Sequence, residues 1–275
     1  MSIIVSLTST SVRLPVLKYT LISILDQSLK CYKIVLCLSK EKYLIDEGIK
    51  ALPTWLSSLV DSKEIEIKWV ENTGPYRKLL PVYQVCSDDD WIITCDDDVI
   101  YGPDWLSSIV KTADIHPDAI ICGRARKPVR ALGGGVQSYI NWPLAPLGAE
   151  GFDLLPIGIS GVLYRKSLLD DRIMSSQDYK KLAPKQDDLW FNLARSVAGT
   201  KVVVSTEADK HVFPIDAPGA LSATNCSAKL AGWDNLVPAL SERLVLKIKA
   251  YLGFPVGDND IVLRKLEKYR LSGGY

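Results

Sequence analysis

Three consecutive carboxylates, Asp96, Asp97 and Asp98, follow the strand-forming run WIITC (91–95), and PDWL (103–106) restarts the chain as a helix soon after. Adjacent like charges repel, so a fold that keeps them together supplies a compensating cation or hydrogen-bonding ligand. On extended backbone, residues i and i+2 share a side, which turns Asp96 and Asp98 toward one ligand and Asp97 away from it. Carboxylate oxygens suit Mg²⁺ or Mn²⁺, commonly held by one or two protein carboxylates plus substrate phosphates. A solvated acidic turn or a helix cap fits the triplet as well. An EF-hand does not, because Gly102 misses the sixth position of a loop beginning at any of the three. A second acidic pair, Asp187 and Asp188, opens a helical pattern closed by Gly199. Plain N-capping accounts for that pair, and so does a general base that takes a proton from a hydroxyl.

The elements that must position these groups alternate in type. Strand patterns SIIVSLTS, KIVLCLS, EIEIKWVE and WIITC are separated by helical patterns at 14–29, around 53–62 and from about 78 to 86. This order predicts an α/β fold with a mostly parallel, Rossmann-like sheet flanked by helices, whose ligands sit beyond the carboxyl ends of the strands. The second half is less regular: Gly/Pro-rich loops at 131–151, a strand GVLYR at 161–165, the helix after Asp187 and a strand TKVVVS. Near the C-terminus, Leu240, Leu244, Ile248 and Tyr251 share one helical face, with Arg243, Lys247 and Lys249 elsewhere. Such a helix packs against its own domain or lies on a membrane surface.

Composition bounds the possibilities. With 275 residues, 47% hydrophobic and 24% charged, the chain builds one sizeable core and is not disordered. A net charge of +1 argues against nucleic-acid binding by massed phosphate neutralisation. Six scattered cysteines without a C-x-x-C pair, and an opening MSIIVSLTST without a basic leader, fit the cytoplasm, with peripheral attachment at the inner membrane face as a variant of that expectation.

The strand–D-x-D–apolar–PDWL unit, preceded by VSLTSTSVRLPVLKYTLISILDQSL, resembles the inverting, sugar-nucleotide-dependent glycosyltransferases of GT-A fold, especially family two and its bacterial polysaccharide relatives, over residues 2–215. The resemblance implies a GT-A domain at 1–235, with a nucleotide-binding half (1–100) and an acceptor-binding half (101–235), and a C-terminal helical extension at 236–275. It implies a divalent cation, Mn²⁺ or Mg²⁺, on Asp96 and Asp98, completed by His211. Donor contacts fall on Thr8, Ser9, Arg13, Arg77, Lys78, Asp96 and Asp97. Asp188 inherits the role of base, and Gly161, Asp187, Trp190 and Trp142 stand on the acceptor side. Solvated charges for Arg77 and Lys78, core packing for both tryptophans and a structural role for His211 are the plainer alternatives. An acidic residue that many relatives carry after the second strand is missing from VLCLSKEKY.

The activity implied is hexose transfer from a nucleotide diphospho-sugar, UDP-linked, to a saccharide or lipid-linked glycan of a bacterial surface polysaccharide such as O-antigen or capsule. The DDLW segment with its downstream histidine resembles galactofuranosyltransferases. A sugar nucleotidyltransferase is the first alternative, but it calls for a glycine-rich loop after the first strand, and LTSTSVRLP has no glycine. A non-catalytic carbohydrate-binding protein on the same fold is the second; binding alone does not require a base beside a metal.

Overall fold

The structure is a computed structural model, and it describes residues 2–216 and 236–275. The first half runs β1 (Ile3–Thr8), α1 (Leu14–Leu25), β2 (Lys33–Leu38), α2 (Thr54–Asp61), β3 (Glu66–Trp69), α3 (Leu80–Tyr83), β4 (Trp91–Thr94), β5 (Val99–Tyr101) and α4 (Trp105–Ile115). There follow β6 (Ala119–Cys122), β7 (Ala125–Arg126), β8 (Glu150–Gly151), β9 (Leu155–Pro156), β10 (Val162–Tyr164), α5 (Asp171–Ser175), α6 (Tyr179–Leu182), α7 (Asp187–Val197), β11 (Lys201–Val204) and β12 (Val212–Pro214). Two helices, α8 (Leu236–Tyr251) and α9 (Asp258–Ser272), close the chain.

The main sheet has the order β3-β2-β1-β4-β10-β6-β11-β8. The first four strands are parallel; β10 runs antiparallel between β4 and β6, and β8 is an antiparallel edge. From β1 the chain steps outward to β2 and β3, then returns to the other side of β1 as β4, in register Ile3↔Trp91 through Ser6↔Thr94. The carboxyl ends of β1 and β4 are therefore neighbours whose connections leave in opposite directions, which opens a crevice there.

Both faces of the sheet are covered at its centre, and so β1, β2, β4 and β6 are apolar on both sides. Val5, Leu7 and Leu36 pack with Leu17, Leu21 and Trp105 on one face; Ile4, Val35 and Ile92 pack with Tyr76, Trp190, Phe191 and Leu266 on the other. On the second face Asp260 of α9 accepts from Ser138 Oγ, the Tyr139 amide and the Val256 and Gly257 amides at 2.7 to 3.1 Å. No helix among the described residues is long and apolar enough to cross a membrane.

Two local expectations change. The helix expected from 78 to 86 is a 3₁₀ turn, Gly74–Lys78, followed by the single turn of α3. Gly74 at φ 64° and the prolines Pro75 and Pro81 divide it, since proline adds no amide to a helix ladder. Residues 97–98 form a turn into β5 rather than extended backbone, so strand alternation does not govern the aspartates.

Candidate active site

The crevice is a cleft of about 500 Å³, lined by the loop after β1, the 74–78 turn, all three aspartates, the start of α7 and, from α9, Asn259. Each aspartate has its own partner. Asp96 receives Lys78 Nζ at 3.1 Å, and its amide donates to the Tyr101 hydroxyl at 3.0 Å. The same hydroxyl donates to the Ile159 carbonyl at 3.0 Å, tying the first carboxylate to the 158–161 turn. Asp97, buried, accepts from Ser9 Oγ and from Arg13 at 2.7 Å, while the second terminal nitrogen of Arg13 lies 3.4 Å from Asp98. Burial pushes Asp97 up to about 6 against the pull of Arg13, and it raises Asp98 as well. Asp97 thus works as a clasp between the β1 loop and the turn after β4; Asp96 and Asp98 keep 31% and 18% of their side chains exposed to the cleft.

Arg77 is an internal strut. Its side chain is 1% exposed and bonds Asp46 at 3.0 Å, the Ser9 carbonyl at 3.2 Å and the Gly74 carbonyl at 3.1 Å, while its Nη1 has no hydrogen-bond partner among the described atoms. Asp46 also accepts from Asn72 and from the Ser11 and Gly48 amides. Asp46 stands eight residues past the end of β2 and lines the same cleft. Thr8 donates to the Cys37 carbonyl, and Ser9 is held by Asp97, so this loop is set by the protein's own hydrogen bonds.

Lys78 joins the two acidic groups. Besides Asp96, its ammonium meets Asp187 at 2.9 Å, and only 8% of the side chain is exposed. Burial works against this charge, but Asp187 and Asp96 outweigh it and raise its pKa well above the ordinary lysine value. Asp188 accepts the Gly158 amide on Oδ2 at 3.1 Å. Burial first, and the adjacent Asp187 second, push its carboxyl up to about 7. A Cβ on Gly158 would stand 2.9 Å from Lys78 Nζ and 3.1 Å from Asp188 Oδ1, so the missing side chain is what lets ammonium and carboxylate share this corner.

Four expected residues lie elsewhere. Trp190 is fully buried among Tyr179 and Tyr269, because it follows Asp188 by two positions on α7 and turns into the core. Trp142 is 6% exposed and donates to the Gln137 carbonyl. Gly161, at φ 85°, sits where a Cβ would be 2.4 Å from the Trp105 ring: its role is to admit that ring, and Gly158 is the glycine at the cleft. His211 packs on Gly102 across the β5–β12 ribbon, whose other end pairs the Ile215 amide with the Asp98 carbonyl. Four residues along a strand separate those ends, about 13 Å, and the structure does not bring His211 to the aspartates. Among the described residues no three His, Cys, Asp or Glu side chains converge as a metal site. An all-oxygen pair, Asp96 and Asp98, open to the cleft, still fits a divalent cation whose remaining ligands are substrate phosphates.

The sheet order, with its switch-point crevice beyond β1 and β4, is that of an α/β fold of GT-A type. The chain matches glycosyl transferase family 2 over residues 3–173 and belongs to that family. Solved structures agree on the fold. The S. aureus TarS 1-349 structure superposes with a TM-score of 0.54 at 15% identity, covering 100% of this chain and 93% of that one. The complexes of TarS 1-349 with UDP (TM-score 0.53, 13% identity, 99% and 72% covered) and with UDP-GlcNAc (0.51, 14%, 99% and 73%) superpose similarly. Against a longer S. aureus TarS chain the TM-score is 0.51 at 13% identity, with 78% of this chain matched, and the chain spans 37% of that protein's length. No curated protein matches. The family match ends before α7, so Asp187 and Asp188 lie beyond it.

Proposed function

We propose that the chain transfers a hexose from a UDP-linked donor to a hydroxyl of a saccharide or lipid-linked saccharide, with inversion at the anomeric carbon, in assembling a surface polysaccharide. The observation that carries the reading is the meeting, in one cleft, of the Asp187–Asp188 pair with Asp96 and Asp98, Lys78 bridging Asp187 and Asp96. The binding of UDP and UDP-GlcNAc by the TarS structures supports a UDP donor.

In this reading the acceptor hydroxyl gives its proton to Asp188 Oδ1 while the Gly158 amide fixes Oδ2. The acceptor oxygen forms its bond to the anomeric carbon from the face opposite the nucleotide, and the bond from that carbon to the diphosphate oxygen breaks. Asp96 and Asp98 would hold Mn²⁺ or Mg²⁺ with the donor's phosphates; when bound, the cation neutralises charge building on the departing diphosphate. Asp187, pinned by Lys78, keeps the first turn of α7 in place.

Titration calorimetry of UDP with and without Mn²⁺, repeated on Asp98→Ala, tests this. Binding that needs the cation and is lost in the variant is expected. A release assay over UDP-sugars, including UDP-GlcNAc and UDP-galactofuranose, then identifies the hexose. Absence of UDP binding in both conditions would sink the UDP reading.

A further inference from the structure

The strongest feature outside the cleft is α8. It is moored to the rest of the protein through Ala250, whose side chain is 2% exposed and whose carbonyl accepts the Ser138 amide at 2.9 Å. Just beyond, Gly253 turns at φ 83° against the Val136 carbonyl. Away from that mooring, Leu244, Val245, Ile248, Tyr251 and Leu252 are 46% to 59% exposed, and Phe254 is exposed just beyond; Leu246, on the flank beside Ala250, is exposed too. At 3.6 residues per turn the first five positions fall in an arc of about 120°, opposite Ala250. Lys247 and Lys249, both exposed, stand on the two margins of the arc. Among the described residues nothing covers it, and a contiguous apolar surface of this kind marks an interaction site.

We propose that α8 lies on an anionic membrane surface, its apolar arc in the headgroup region and its two lysines at the phosphate level. Charge selects this occupant. Residues 244–275 hold six basic and three acidic residues, one of the acidic ones being Asp260 with its four hydrogen bonds inside the protein, whereas the whole chain carries only +1. A second copy docking face to face would set four lysines against one another around the apolar contact; anionic lipid neutralises them. An apolar face edged by lysines whose stems reach past it is the arrangement of an interfacial helix, and α8 is not a spanning one. The surface stands on its own residues and does not depend on the proposed reaction. It does set the cleft beside the bilayer, because α9, joined to α8 by a short turn, contributes Asn259 to the cleft wall.

The test is co-sedimentation of the full chain with vesicles of phosphatidylcholine alone or mixed with phosphatidylglycerol, alongside light scattering without lipid. Binding to the anionic vesicles only, weakened by salt, is expected. The double variant Leu244→Asp/Ile248→Asp should stay in the supernatant, and Lys247→Ala/Lys249→Ala should lose about fivefold in partitioning per lysine at low salt. Unchanged UDP titration and circular dichroism identify the variants as folded. Wild-type protein that stays in the supernatant with both vesicles overturns the proposal. So does equal binding to both, or a lipid-free dimer that Leu244→Asp/Ile248→Asp dissociates, in which case a second copy occupies the face.

Discussion

Replacing Lys78 by methionine keeps the apolar stem and removes the one ammonium between Asp96 and Asp187. The two ion pairs are 3.1 and 2.9 Å long, and the Lys78 and Asp187 side chains are 8% and 10% exposed. Breaking a buried pair by deleting one partner costs about 3–5 kcal/mol; the partial exposure of Asp96 favours the lower end, about 3 kcal/mol. For a chain of this size that lowers the midpoint of thermal unfolding by about 6–12 °C. The loss carries a pH signature. In the wild type, the raised pKa of Lys78 keeps its contribution complete below the ordinary lysine value, so it is flat between pH 5 and 8. In the variant, carboxyls that Lys78 had held down, Asp188 among them, rise further above their unfolded values. A carboxyl raised in the folded state takes up protons on folding, so the variant recovers stability as pH falls. Thermal unfolding by circular dichroism should therefore show the full deficit at pH 8 and a smaller one at pH 5, with Lys42→Met, at an exposed pair, as the neutral control. A Lys78→Met protein as stable as wild type at pH 8, or one whose deficit widens at pH 5, would refute the electrostatic account.

Asp188→Asn should lower transfer by about 10²- to 10⁴-fold in a coupled UDP-release assay while leaving the calorimetric affinity for UDP unchanged. Because burial places the Asp188 carboxyl at about 7, wild-type turnover should rise as pH climbs through 7 and fall on the acid side, where the base is protonated. Gly161→Ala adds a methyl at φ 85° that overlaps the Trp105 ring; about 3 kcal/mol of stability should go, measured by urea unfolding. Asp260→Ala strands the Ser138 hydroxyl and three amides, so limited proteolysis should cut between 251 and 258 faster than in wild type, while Trp190, being core, makes Trp190→Phe neutral for acceptor KM.

The sheet was legible in the sequence because its central strands, such as β1, β4 and β6, are buried on both faces and read as apolar runs, and because D-x-D closely follows β4. What the sequence concealed depends on where side chains turn at the ends of those runs. The resemblance counted Asp97 among the donor contacts while strand alternation turned it away from the ligand; the turn at 97–98 sends it back to Ser9 and Arg13. Asp46 stood too far past β2 to be recognised, since only the loop's return to Arg77 gives it a place in the cleft. Tyr101 carries no signature at all; its hydroxyl reaches Asp96 across the turn after β4. Trp190 shares a helix with Asp188, but adjacency along a helix places residues on different faces, and its face is the core.

The corner between Lys78 and Asp188 is walled by the backbone of Gly158. A side-chain wall could be tuned by swapping rotamers or trimming a methyl, and so could drift through a series of small substitutions. Here the first possible step is the largest one, because every replacement of glycine adds at least a Cβ into a space of about 3 Å. The spacing of the Lys78 ammonium and the Asp188 carboxylate is thus insulated from gradual mutation.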